Sequence, residues 1–529
     1  MASAYTFHWG GERFPLSEAH RHIAVIGATG SGKTVTIRGL MQQAVTSLLP
    51  SFNPGAFDGR AVVYDAKQDM LSYLVPMVVP QLNIALKQAT ISGWSKPDLD
   101  AFRRSSWFGS LSGRRPSRLD WLPDSITVMN PFDVRSAAWD MAADITSPAT
   151  VQQIATMLIP DEKNSTQPFF TQAARHLLHG VLMVFVHQAQ STGARWTLRD
   201  VLLALRLGEG LRDLYATCQH TKHLGSMYIN PGQTFDNLKS TIASKMMPYE
   251  AVAGAWSHAK RSVSLRAFCT ARNRGILVLG NDEQNREAVD SINRVLFKRI
   301  TELVISQSEE EERYVWFFLD EVREMGNLGG LSSLLLRGRS KGACVVMGLQ
   351  DIDGLREVYG DRRAQELMGQ CGFKGFLRLE SPTTAEWGAK HFGLSERLVQ
   401  RGGKSVDTGG RGGVSISTRD ELEKREVVLY SRLMQLEPPR EGVLSGYYTS
   451  PGGLLPTPDD SRPTEVPFTE PNRLGQRPPN PLLERLRGIE FMPRPEDHQY
   501  LRPWDDGDMT RLGLPASLLS AQTMRSPTI

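Results

Sequence analysis

Residues Gly27, Ala28, Thr29, Gly30, Ser31, Gly32, Lys33 and Thr34 spell GATGSGKT, a glycine-rich turn closed by a lysine and a hydroxyl. That spacing suits a polyphosphate: the glycines let backbone N–H groups turn onto phosphate oxygens, the lysine reaches the β and γ oxygens, and the Thr34 hydroxyl can ligate magnesium. Far downstream the apolar run YVWFFL, residues 314–319, ends in Asp320 and Glu321. A buried strand that delivers two carboxylates at its C-terminal end supplies the other half of such a site. Asp320 is expected to hold Mg2+ or its water, and Glu321 to orient and deprotonate an attacking water. ATP and Mg2+ are the cofactors expected, and the adjacent glutamate argues for ATP hydrolysis.

A GxxxxGK[ST] turn carries meaning when a strand precedes it and a helix follows. Here Ile23 to Ile26 read as the strand, and residues 34–45 have helix-compatible spacing that Gly39 weakens slightly. Further short apolar runs lie at 61–64, 126–129, 276–279, 314–319, 344–349 and 375–379. Their near-continuous hydrophobicity predicts strands buried on both faces, so the fold class expected is α/β with a mainly parallel sheet. Between the third and fourth runs, roughly residues 141–260, apolar side chains recur at helical spacing, as in Ala173, Leu177, Leu178, Val181 and Leu182. This predicts an inserted all-helical domain. His176, His179 and His187 fall within it, either as metal ligands or as core and solvent-facing histidines. The expected division is a nucleotide-binding domain in two parts, 1–140 and 261–450, the helical insertion 141–260, and a Pro-rich tail 451–529.

After Glu321 the chain must run back along the sheet before 344–349 can pair in parallel, and Leu328, Leu331, Leu334 and Leu335 mark a returning helix. About twelve helical residues carry the chain roughly 18 Å from the catalytic edge. Arg339 then sits at the far edge, and so does Arg21, since it precedes a strand spanning about 16 Å that leads up to the phosphate loop. Neither reaches its own γ-phosphate. Each is either an arginine finger for a neighbouring subunit's ATP, worth about 10³ to 10⁵ in rate where such fingers are known, or a surface ion pair. Gln350 ends the strand beside the Asp320 strand, where it either senses the γ-phosphate and positions water or merely terminates the strand. Fingers in trans imply a ring with ATP at subunit boundaries, and a homo-hexamer is expected.

The chain has 529 residues, too many for one ordinary core, with 40% apolar and 22% charged residues, values of a globular protein. A formal charge of +4 permits a nucleic-acid partner only if the basic residues cluster. Cys218, Cys269, Cys344 and Cys371 form no CxxC pair, which disfavours a zinc site or disulfide framework and fits a reducing cytoplasm. No apolar stretch approaches the roughly 18 residues of a membrane span, and the first residues lack a signal peptide's apolar core. Residues 92–120 carry Arg103, Arg104, Arg114, Arg115 and Arg118 among Trp94, Phe102, Trp107 and Phe108. That mixture either neutralises phosphates and stacks on bases or forms a solvated loop. Residues 402–413 read as a flexible glycine-rich loop, and from Pro451 the composition predicts an extended tail that wraps the domain or holds a partner.

Taken together, these segments resemble the type IV coupling proteins, the TraD/TraG/TrwB-like branch of the FtsK/HerA motor ATPases. The landmarks are HRHIAVIGATGSGKT, VYDAKQDM from Val63, NPFDVRSAAWD from Asn130, FFLDEVREMGNLGGL from Phe317, LRGRSKGACVVMGLQDIDGLREVYG from Leu336 and AKHFG from Ala389, in family order over most of 15–450. The resemblance implies a RecA-like P-loop NTPase domain interrupted by an all-helical domain, and a hexameric DNA translocase. It places Lys33 and Thr34 in nucleotide binding, Asp320 and Glu321 in catalysis, and Arg339, Gln350 and Arg21 at an intersubunit ATP site. The partners implied are DNA, expected as relaxase-bound single strands, together with relaxosome proteins and type IV secretion ATPases or inner-membrane components. Such proteins typically carry a transmembrane pair ahead of the motor domain, whereas 26 residues precede Gly27 here. A separate membrane-anchor partner, with a cytoplasmic or peripheral location at the inner membrane, is one expectation; a soluble branch is the other. Two alternatives to a DNA motor for conjugation are an ATP-regulated docking receptor for relaxosome or effector proteins and a soluble double-stranded DNA pump.

Overall fold

The computed structural model describes residues 6–48, 58–78, 122, 125–161, 168–271, 275–310, 313–406, 414–440, 442–455, 463–467 and 500–519. The basic and aromatic stretch 92–120 lies outside them. In chain order the strands are β1 (Thr6–Trp9), β2 (Glu12–Pro15), β3 (Ile23–Ile26), β4 (Asp58–Asp65), β5 (Ile126–Val128), β6 (Ala137–Trp139), β7 (Arg261–Val263) and β8 (Ile276–Gly280). There follow β9 (Arg313–Leu319), β10 (Ala343–Leu349), β11 (Phe373–Phe376), β12 (Leu394–Val406), β13 (Val414–Glu426), β14 (Val443–Ser450), β15 (Gly453–Leu455) and β16 (Thr464–Pro467). The chain divides into two compact units, one of Met1–Ala44, Asp320–Arg323 and Cys344–Pro471, the other of Val45–Leu319, Glu324–Ala343 and Asn472–Ile529.

In the first unit the strand order is β15-β14-β11-β3-β10. β3 lies parallel to both β10 and β11, with Ile26 in register with Leu349 and with Phe376. Every residue of β3 is fully buried, the pattern of a parallel strand covered on both faces. Because the three strands end together, Gly27, Gln350 and Leu377 emerge on one edge. Helix α1 (Lys33–Leu48) starts there. β1 and β2 form a hairpin whose Phe7, Trp9 and Phe14 pack edge-on against Phe373. β12 and β13 pair as a separate ribbon, in register from Leu394 opposite Glu426 to Val406 opposite Val414. Residues 402–406, expected as flexible loop, are therefore strand; their glycines lack side chains to pack but still supply ladder groups.

In the second unit the strand order is β9-β4-β8-β5, all parallel. Tyr64 is in register with Leu319 and with Leu279, so these strands too share one C-terminal edge. Helix α2 (Leu71–Val78) follows β4. The helical region contains α3 (Pro148–Leu158), α4 (Pro168–Thr192), α5 (Leu198–Leu205) and α6 (Gln233–Met246). Ser147 caps α3 by accepting from the Thr150 N–H, with proline at the first turn as helix starts favour. α4 is long and apolar enough, by length and composition alone, to cross a membrane, which corrects the sequence expectation; 67% of its apolar window is buried inside the unit, as in a core helix. On α4, His176 pairs with the Tyr228 hydroxyl at 2.7 Å and His187 is exposed. No cluster of three or more metal-ligating side chains occurs among the described residues. α7 (Arg286–Ile305) packs Phe297 edge-on against Phe317 of β9.

The return from Glu321 differs from expectation. A 3-10 turn at Val322–Met325 follows Glu321 directly, and α8 (Leu331–Arg337) with a second 3-10 turn at Arg339–Lys341 comes only after glycines at 326, 329 and 330, which delay the helix start. The C-terminal region also departs from a plain extended tail. β15 and β16 extend the first unit's sheet at β14, and α9 (Asp506–Leu512) docks on the helical region. Arg199 donates to the carbonyls of Arg502 and Pro503 at 2.8 Å each and to Asp508 at 2.8 Å, while Asp200 accepts from Trp504 Nε1 and Arg511 at 2.9 Å. Burial pushes the Asp508 carboxyl up, but hydrogen bonds from Arg199 and Arg511 outweigh it and hold it well below the usual carboxylate range.

Removing one partner of a buried pair leaves an uncompensated charge, at a cost of about 3 to 5 kcal/mol. Arg199→Ala is therefore expected to release residues 500–519, read as accelerated limited proteolysis there. A depressed folded pKa stabilises above the unfolded value, so docking should be full above about pH 4 and weaken as pH falls below it. Docking that strengthened on acidification would contradict this clamp.

Candidate nucleotide-binding site

The loop after β3 is held by its own backbone. The Gly27 N–H donates to the Leu349 carbonyl at 3.0 Å, the Ala28 N–H to the Arg378 carbonyl at 2.9 Å, and the Ser31 N–H to the Ala28 carbonyl at 3.1 Å. Gly30 and Gly32 have φ of 75° and 96°, a region that side chains disfavour. At Gly32 space is also short: a Cβ would lie 2.2 Å from the Leu444 side chain. The loop delivers the first N–H groups of α1, unsatisfied within the helix, to the edge where β3, β10 and β11 end.

The carboxylates following β9 meet that loop. Lys33 Nζ donates to Glu321 Oε2 at 2.5 Å, with the two side chains only 7% and 17% exposed. Thr34 Oγ1 donates to Asp320 Oδ2 at 2.9 Å. Asp320 is buried, and its Oδ1, like Ser31 Oγ, has no hydrogen-bond partner among the described residues. A buried oxygen left unpaired is costly. An all-oxygen donor set of hydroxyls and a carboxylate suits Mg2+, a hard cation, so the residues present fit the nucleotide and metal that the sequence implies. Glu321 has φ of 76°, a left-handed conformation costing a non-glycine residue about 1 to 2 kcal/mol. The strain turns its carboxylate toward Lys33.

Gln350 is exposed and directly follows β10, on the edge where Gly27 leaves the sheet. Arg21 lies at the other end of β3, paired with Glu18 at 2.6 Å and accepting at its carbonyl from the Gly372 N–H. Arg339 is exposed and opens the 3-10 turn before Gly342, whose carbonyl accepts from the Val315 N–H near the start of β9. Arg339 is thus at the N-terminal end of β9, a strand's length from Leu319. The structure brings Lys33, Thr34, Asp320 and Glu321 together and keeps Arg21 and Arg339 off that edge of their own strands.

Sequence reasoning missed Gly348. A Cβ there would stand 2.8 Å from Ile37 Cδ1, 3.0 Å from Asp320 Oδ1 and 3.2 Å from the Glu321 nitrogen. A glycine inside an otherwise apolar strand signals close approach, and here it makes room for both carboxylates. In the second unit, the strand-end motifs VYDAKQDM and NPFDV build a self-satisfied polar rim. Asp65 accepts from the Asp69 and Met70 N–H groups at 3.1 and 3.0 Å, and the Asn281 carbonyl accepts from Asn130 at 3.1 Å and Gln68 at 3.0 Å.

A sequence model of the type IV secretion-system coupling protein DNA-binding domain matches residues 7–456. The chain belongs to this family. Among curated members, it is 23% identical over 339 residues to the coupling protein TraD of Escherichia coli strain K12, covering 62% of this chain and 45% of TraD. It is 23% identical over 300 residues to the conjugal transfer protein TraG of Rhizobium radiobacter, covering 54% and 45%. The chain thus spans less than half the length of these relatives. The solved structure of the bacterial conjugative coupling protein TrwBdeltaN70 superposes with a TM-score of 0.59 at 20% identity, over 88% of this chain and 89% of that one. TrwB in complex with ADP and Mg2+ superposes with a TM-score of 0.59 at 19% identity, over 89% and 90%. The fold is that of the coupling-protein family, an α/β RecA-like core with helical additions.

Overpacking at Gly348 should disturb this site first. Gly348→Ala is expected to lower stability by about 1 to 3 kcal/mol, read as a lower Tm; an unchanged Tm would contradict the close approach.

Proposed function

We propose that the chain is an ATP-hydrolysing motor that couples DNA to a type IV secretion channel in conjugation. The observation that carries this reading is the junction of Lys33 with Glu321 and of Thr34 with Asp320, within a chain of the coupling-protein family. Lys33, freed from Glu321, binds the β and γ phosphates, and the backbone N–H groups of 27–34 cradle them. Thr34 and Asp320 hold Mg2+, which neutralises phosphate charge when bound. A phosphate that takes Lys33 releases the Glu321 carboxylate, already on the catalytic edge, to orient and deprotonate water. Gln350 stands beside it as sensor. Arg339 and Arg21, on the opposite strand ends, complete a neighbour's site, and a homo-hexameric ring follows. DNA carrying a relaxase is the substrate, with relaxosome and secretion-channel proteins as partners on the cytoplasmic side of the inner membrane.

Several variants separate these roles. Lys33→Ala should abolish nucleotide binding, whereas Glu321→Gln should keep it and slow hydrolysis about 10² to 10⁴-fold, measured by nucleotide titration and phosphate release. Wild-type hydrolysis should rise on adding DNA; a rate indifferent to DNA would count against a motor. Mixing Arg339→Ala with Lys33→Ala subunits should change turnover away from the simple average, since each supplies what the other lacks. A strictly additive result would mean that subunits do not share sites.

The docked C-terminal segment favours a second reading, an ATP-regulated receptor for relaxosome or effector proteins, because Arg199 and Asp200 already hold a peptide. Removing residues 451–529 distinguishes the two: a receptor loses partner binding, and a motor keeps DNA-stimulated hydrolysis.

A further inference from the structure

The second unit carries a cavity of about 110 Å³ that the nucleotide site does not use. It lies where the β6–β7 pair meets the first turn of α5 and the helix Glu250–Trp256. Trp139, Trp196 and Trp256 line it together with Leu198, and its polar members include Asp140 and Arg195. Trp196 stacks on Phe185 at 5.7 Å, which stiffens that wall. The volume suits a small apolar group: an engineered cavity of roughly 150 Å³ takes up benzene, and a five-membered ring is smaller.

A buried indole N–H ordinarily finds an acceptor. Trp139 Nε1 donates to Asp144 at 2.6 Å, and Trp504 Nε1 donates to Asp200 at 2.9 Å. Trp196 and Trp256 are buried too, yet the Nε1 of each has no acceptor among the described residues. Two of the three indoles at the cavity therefore carry donors that gain from an incoming oxygen. A peptide already runs along one wall. Arg199, which also lines the cavity, donates to the carbonyls of Arg502 and Pro503, and residues 501–505 there form neither helix nor strand. The lip is basic. Arg195 is 78% exposed and meets Asp140 at 3.3 Å, a surface pair of little strength. Residues 258–261, which join the cavity-lining Ser257 and Ser262, add Lys260 and Arg261, both exposed.

We propose that this cavity binds an extended, proline-containing segment of a partner protein, with acidic residues flanking the proline. This rests on the reading of the chain as a receptor for partner proteins and names where one is held and by what chemistry. Proline-rich segments adopt a helix without internal hydrogen bonds, so their carbonyls stay available as acceptors, and aromatic-lined grooves are where such segments dock. The pyrrolidine ring fills the space among the indoles, and neighbouring carbonyls accept from Trp196 and Trp256. This is the same kind of backbone contact that Arg199 makes with Arg502 and Pro503. Acidic flanks pair with Arg195 and the basic lip, while a basic peptide is repelled there.

The test is fluorescence-anisotropy titration of the whole chain with a labelled peptide, Glu-Glu-Pro-Pro-Leu-Pro-Glu-Glu, across a salt series. One control peptide has alanine at every proline and another has lysine at every glutamate. The wild-type chain is expected to bind the first peptide and to bind each control about tenfold more weakly or less. Trp256→Phe keeps an aromatic ring and removes the donor, and should weaken binding about threefold to tenfold. Arg195→Glu should weaken binding and flatten its salt dependence. Because Arg195 is exposed, that variant should keep its Tm, so lost binding there is not lost folding. Equal affinity for the proline and alanine peptides, or affinity that both variants leave unchanged, overturns the proposal. A chain that binds a purified relaxosome protein but not the peptide also overturns it and leaves the receptor reading intact. A chain that binds the peptide but no relaxosome protein retains the site and overturns the receptor reading.

Discussion

A lysine ammonium lies 2.5 Å from a glutamate carboxylate across a separation of 288 residues, and much else in the first unit is arranged to permit that meeting. Two opposite charges shielded from water attract far more strongly than they do in bulk, but only if the backbone can bring them together. Glu321 adopts a left-handed conformation, and Gly348 gives up a side chain so that Asp320 and Glu321 fit. The pair also protects an otherwise isolated buried ammonium. An incoming phosphate would substitute for the glutamate at Lys33, so the same interaction that stabilises the site without ligand is the one that binding exchanges.

The parallel arrangement of strands accounts for the distribution of polar chemistry. β3, β10 and β11 end level with one another, as do β4, β8 and β9. In parallel sheets covered on both faces, side chains along the strands are committed to the core, and only the ends are available for function. The C-terminal ends carry Gly27, Gln350, Asp65 and Asn281. The N-terminal ends carry Arg21 and the turn that leads from Arg339 into β10. In each unit, polar residues therefore sit at the two ends of the strands, with apolar side chains between them.

The peripheral elements obey a different logic. The ribbon β12–β13 is long and leaves Leu394, Leu398 and Leu422 exposed, whereas the segment from Tyr500 to Leu519 buries Trp504, Asp508, Met509 and Leu512 and is anchored by Arg199 and Asp200. Burial explains the anchoring: a desolvated carboxylate such as Asp508 must be paired.

How much was legible in the sequence depended on whether the signal was local. GATGSGKT declares its turn because Gly30 and Gly32 need backbone angles that few residues adopt, and the seven apolar runs declare strands because both faces are buried. Local composition misled where context decides: Gly402 to Val406 are strand rather than loop because a partner strand supplies the ladder, and the apolar character of α4 was diluted in sequence by Arg175, His176 and His179. Gly348 and the Arg199 clamp on Trp504 and Asp508 join residues far apart in the chain, and no spacing rule reports such neighbours. Residue type and order alone determined the phosphate loop, the two carboxylates and the α/β class. Which carboxylate meets Lys33, which glycine makes room for it, and where the tail docks were decided only by tertiary packing, since those contacts depend on distances that a linear sequence does not contain.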